Sequence, residues 1–71
     1  MLIIRQELFN DQELGKIYDY VLKNKDLFLR IIVLKNSNYT NKKIFKLSKF
    51  YNYYETNFLT VFDLIDKKYQ N

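Results

Sequence analysis

From residue 44 onward, apolar side chains recur every three or four positions: Ile44, Leu47, Tyr51, Tyr54, Phe58, Val61 and Ile65. Spacing of this kind predicts helix that buries one stripe and wets the rest. A single helix over 41–69 would run about 43 Å at about 1.5 Å per residue, whereas a compact domain of this length is only about 30 Å across. It would also leave Phe45, Phe50, Leu59 and Leu64 off the stripe. A break within 52–57 removes both difficulties, so two helices are expected, at about 41–51 and 55–69. Thr40 or Asn41 caps the first, and Asn52 with Glu55, or Thr56, restarts the second. The rival is one unbroken heptad pattern, which implies a paired coiled coil.

The front half carries a sharper signal. Asn10 followed by Glu13, with Phe9 and Leu14 flanking them, has the form of a capping box with a hydrophobic staple. It predicts a helix over 11–24 that buries Leu14, Ile17, Tyr18, Val21 and Leu22. Gly15 inside it costs about 1 kcal/mol relative to alanine. Residues 1–8, β-branched at Ile3 and Ile4 and lacking a helix start, read as an extended segment. The 27–35 stretch is ambiguous: Ile31-Ile32-Val33 favours a buried strand, while Asp26 as a cap and the helical neighbours favour a short core helix. The neighbourhood tips the reading to helix. The expected fold is therefore mainly α, a single domain of three to four helices (1–71) with a helix-turn-helix-like outline and a short extended N-terminal segment. The alternative is α+β, with strands at about 1–8 and 27–35.

Composition narrows the chemistry more than the fold. Seventy-one residues with no Cys and no His exclude disulfides and any nitrogen- or sulfur-ligated metal. A core this thin leans on its seven Tyr and six Phe, or on self-association, so a homodimer or higher oligomer stays open. Ser37 and Ser48 have no His to activate them, and one glycine cannot build a phosphate-cradling loop. Asp63 and Asp66 share a helical face but read as a solvated pair. No enzyme and no cofactor are expected. The longest apolar run, 27–34, holds Arg30 and is shorter than the roughly 20 residues a bilayer span needs. A protein that avoids membranes and resides in the cytoplasm is expected. The lack of Ala and Pro beside abundant Lys, Asn, Ile and Tyr suits an AT-rich genome, such as that of a phage or plasmid.

Charge is unevenly placed. Residues 1–38 hold six basic against five acidic groups, and 55–71 hold two against three. The net +4 of the chain thus sits in 39–54, where Lys42, Lys43, Lys46 and Lys49 meet no acid. On a helix Lys42, Lys46 and Lys49 share the face opposite Ile44, Leu47 and Tyr51. Lysines so arranged suit phosphate contacts, although lysine-rich solvated faces are common. With the helix-turn-helix outline, the last helix would offer Asn57, Thr60, Lys67 and Lys68 to a major groove. The turn lacks Gly, and Phe45 stands where a small residue normally lets the helices close. The leading expectation is a small basic, non-enzymatic nucleic-acid-binding regulator of phage or plasmid type, with duplex DNA as partner. The alternative is a protein-interaction module, such as a viral inhibitor or assembly subunit. It would meet an acidic host protein through an aromatic-rich patch formed by Phe45, Tyr53 and Leu59.

Overall fold

The computed structural model describes residues 1–35 and 42–65. Strand β1 (Leu2–Arg5) leads through a single 3-10 turn to helix α1 (Asp11–Lys23), and β2 (Arg30–Leu34) follows. A 3-10 helix at Lys42–Lys49 then precedes the hairpin of β3 (Tyr51–Glu55) and β4 (Leu59–Leu64). The four strands form one mixed sheet in the order β1-β2-β4-β3. β1 and β2 run parallel, joined across α1, and the remaining pairs are antiparallel.

Helix α1 starts where its capping box predicts. The Asn10 side chain accepts from the Glu13 N–H at 2.8 Å, and Glu13 Oε1 accepts from the Asn10 N–H at 2.9 Å. Two of the four donors orphaned at a helix start are thereby satisfied. The helix ends at Asn24, whose N–H donates to Tyr20 O and Val21 O. Its inner face is Leu14, Gly15, Tyr18 and Val21, four residues within two turns.

The mainly α expectation is overturned: the molecule is a small α+β domain, with two substantial helical elements on a four-stranded mixed sheet. In the 27–35 stretch Leu27 closes a 3-10 turn (Lys25–Leu27) and β2 follows, because Ile31 and Val33 pair on one side with Leu2 and Ile4 of β1 and on the other with Phe62 and Thr60 of β4. The helix expected at about 41–51 is an eight-residue 3-10 helix that gives way to β3. The one expected at 55–69 is the turn and β4 as far as Leu64, so the helix-turn-helix outline and the coiled coil fall with it. A break does lie within 52–57, but it joins two strands. Thr56 builds the turn: its N–H donates to Leu59 O at 2.8 Å, and its hydroxyl accepts from Phe58 and Leu59 N–H, both at 3.2 Å. The caps proposed at Thr40 and Asn41 lie outside the described residues.

Alternate strand positions define the core. Ile4, Ile31, Val33, Phe62 and Tyr51 face Leu14, Tyr18 and Val21 of α1, and Ile44 and Leu47 of the 3-10 helix complete the cluster. Three residues per 3-10 turn stack i over i+3. That winding puts Ile44 and Leu47 on one buried edge and leaves the other two edges wet. Tyr51 Oη donates to Phe28 O at 2.9 Å, so its buried ring keeps its polar end satisfied.

Candidate functional site

The register that sends one set of side chains into the core sends the other set to the opposite face of the sheet. Three rows cross that face. In the middle row Ile3 pairs with Ile32, Ile32 with Val61, and Val61 with Tyr54, an unbroken apolar line across all four strands. Beside it run Arg5, Leu34 and Leu59, and on the other side Arg30, Asp63 and Asn52. Arg30 grips Asp63 across the strands through two hydrogen bonds, of 2.6 and 3.2 Å.

No helical element among the described residues packs on these rows, since the buried side chains of α1 and the 3-10 helix all belong to the cluster on the other face. Val61 is nonetheless only 5% exposed, although it is separate from the core cluster. Ile3 and Tyr54, at the ends of the row, are 55% and 57% exposed. The two central strands, β2 and β4, are thus apolar on both faces, a pattern typical of strands covered on both sides. An antiparallel sheet with a wetted face normally alternates apolar with polar residues, and this one does so only at its Arg30–Asp63 end and at Arg5 on the β1 edge.

The lysines occupy another part of the molecule. Lys43, Lys46 and Lys49 share one edge of the 3-10 helix, while Lys42 falls on the edge with Phe45 and Ser48. This grouping differs from the Lys42–Lys46–Lys49 face of an α-helix because the winding is tighter. Lys43 Nζ donates to Asp19 Oδ2 of α1 at 2.7 Å. That bond holds the Asp19 carboxyl below the ordinary range, helped by the nearby charges of Lys43, Lys46 and Lys23. The result is a basic seam between α1 and the 3-10 helix with one acid at its centre.

The other expected site residues scatter. Thr60 is buried on the core face, Asn57 sits in the hairpin turn, and Lys67 and Lys68 lie outside the described residues. Phe45 and Tyr53 do come together, around a cavity on the helix-covered side. Leu59 is across the sheet from them, in the open-face row with Leu34. The sequence reading missed Ile3, Ile32, Leu34 and Val61 as a group. The signal was present in the apolar run 31–34 and in Leu59, Val61 and Phe62, which a helical frame hides.

Neither protein-family models, nor curated proteins, nor solved structures match this chain. No helix among the described residues is long and apolar enough to cross a membrane.

Proposed function

We propose that the chain is a non-enzymatic protein-interaction module whose open sheet face is covered by a larger, acidic protein. The supporting observation is the row Ile3–Ile32–Val61–Tyr54, an apolar line spanning the sheet on the face that the described helices leave bare. Size argues against a second copy as the sole occupant. Four strands at about 4.8 Å spacing, each about five residues long at about 3.3 Å, outline roughly 300 Å². A standard interface takes about 800 Å² from each partner. A partner that reaches past the sheet edge toward exposed Phe58 and the lysine seam supplies the rest, and the chain's net +4 favours an acidic one.

A photo-crosslinking side chain in place of Tyr54, compared with one in place of Lys46 and used inside host cells, tests this reading. The expected product from position 54 is one stoichiometric adduct with an acidic polypeptide, lost when Ile3→Lys is added. Adducts only between copies of this chain would replace the larger partner with a homodimer. Adducts from position 46 alone, abolished by nuclease, would refute the reading in favour of nucleic acid.

Contact with nucleic acid stands as a second reading, supported by Lys42, Lys46 and Lys49, which are exposed and make no ion pair among the described residues. With Lys43 committed to Asp19, three phosphate contacts predict a log–log salt slope near about −2.7 on duplex DNA, at about −0.9 per contact.

A further inference from the structure

The sheet has two edge strands, and they differ. β1 is four residues long and ends in Arg5, whereas β3 carries no Lys, Arg or Pro to turn another strand away. The one charged residue of β3, Glu55, is held by Lys35 at 2.6 Å. Asn52, Tyr53, Tyr54 and Glu55 are all exposed, and only Tyr51 is buried.

The ladder to β4 fixes which backbone groups of β3 face outward. At one end the Ile65 N–H donates to Phe50 O at 2.9 Å, and at the other the Thr56 N–H donates to Leu59 O at 2.8 Å. In an antiparallel pair such bonded positions alternate with positions whose N–H and C=O point away. Asn52 and Tyr54 therefore bond to β4, while Tyr51, Tyr53 and Glu55 turn outward. Tyr51 is only 1% exposed, so the groups within reach of another strand are those of Tyr53 and Glu55. Beyond the sheet itself, neither makes a backbone–backbone bond among the described residues.

We propose that β3 is the edge through which two copies of this chain join, antiparallel about a two-fold axis at Tyr54. In that register each copy's Tyr53 exchanges both backbone hydrogen bonds with Glu55 of the other, so the outward groups are self-complementary. Tyr54 stands opposite Tyr54 of the second copy at the non-bonded position, where side chains approach most closely. The line Ile3–Ile32–Val61–Tyr54 then continues into the same line of the second copy, and two four-stranded sheets become one. Pairing β3 with β1 of another copy would instead leave edges open at both ends and build a filament, whereas the two-fold closes. The joined open face outlines roughly 600 Å², twice that of one sheet and nearer the about 800 Å² that one side of a standard interface takes. The pairing joins edges and leaves that face bare, so it does not depend on what covers the face and is tested on the purified chain alone.

Sedimentation equilibrium over a rising concentration series should show a species of twice 8.8 kDa. Tyr54 is 57% exposed, so charged replacements there spare the fold. Tyr54→Lys and Tyr54→Glu, each alone, set like charges opposite each other and should weaken the dimer about tenfold. Mixed, they should pair one to one and recover it. Ile3→Lys, at the far end of the row, should leave the dimer unchanged, which separates edge pairing from the stacking of two open faces. Tyr53→Pro removes the outward N–H without touching a bond to β4, and it should dissociate about tenfold more readily than Tyr53→Thr, which keeps that N–H. Should Tyr53→Pro fail to fold, the charge exchange decides. A monomer at every concentration, single charge variants that pair as well as the unsubstituted chain, a mixture that stays apart, loss of the dimer in Ile3→Lys, or equal dissociation of folded Tyr53→Pro and Tyr53→Thr would each overturn the proposal.

Discussion

Replacing Leu47 by alanine strikes the point where the 3-10 helix is fastened to the core. The side chain is fully enclosed, and it shares its edge of the helix only with Ile44, also buried. Removing a buried leucine side chain costs about 2–5 kcal/mol, the larger values where the site cannot collapse. A short helix held between α1 and β3 has some freedom to relax, so a loss of about 3 kcal/mol is expected. The total stability of a 71-residue domain is of the order of 4–10 kcal/mol, so this one substitution removes much of it. Phe45, two positions away, provides the internal control. It is larger but 57% exposed, and Phe45→Ala should cost about 1 kcal/mol or less. Urea unfolding followed by far-UV circular dichroism reads both. With a slope near 1 kcal/mol/M for a small chain, the Leu47→Ala midpoint should fall by about 3 M and that of Phe45→Ala by about 1 M or less. If the two shifts are equal, or Phe45→Ala is the more damaging, the helix is not docked by the 44/47 edge, and the positions assigned to the lysines and the cavity wall fail with it.

Other expectations are simpler to check. Asn10→Ala should cost about 0.5–2 kcal/mol by breaking both arms of the capping box, seen as a lower urea midpoint. Tyr18, with its pKa raised to about 12, stays protonated in the native state between pH 10 and 12, while the unfolded chain loses that proton. Stability should therefore be unaffected by this group below pH 10 and fall by about 2–3 kcal/mol as pH rises through that window, at about 1.36 kcal/mol per unit. Alkaline unfolding curves compared with those of Tyr18→Phe would show it, Tyr51 adding a change of the same sign in both. Lys43→Ala should let the Asp19 carboxyl titrate closer to its ordinary range, measured by side-chain carbon NMR against pH. Arg30→Met should change stability by less than about 1 kcal/mol, because the pair with Asp63 is half exposed.

How far the fold can be read from the chain depends on whether its cues are local. The start of α1 is spelled out within five residues, Asn10 to Leu14, and it forms where they say. The strand at 30–34 was visible in Ile31-Ile32-Val33, but only its pairing with β1 and β4 separates strand from helix, and that pairing spans 29 residues to β1 and 25–33 residues to β4. The C-terminal half misleads for a definite reason. Strands apolar on both faces lose the alternation that marks them, and Ile44, Leu47, Tyr51, Tyr54, Phe58, Val61 and Ile65 then fall by accident at helical intervals. Tyr54 and Phe58, both mostly exposed, expose the accident. Nothing local announces the cavity either, since Gln6 and Thr60 are far apart in the chain and come to line it only when the sheet closes. The ion pair that takes up Lys43 likewise joins residues 24 apart.

The strand order carries a consequence for biosynthesis. β4 lies between β2 and β3, yet it leaves the ribosome after the other three strands. Until it arrives, the N-terminal strand–helix–strand unit has no neighbour along one ladder, and β3 has nothing to pair with. Closure of the domain must therefore wait for residues 59–64, and a nascent chain halted before them would present sticky strand edges to chaperones rather than a finished surface.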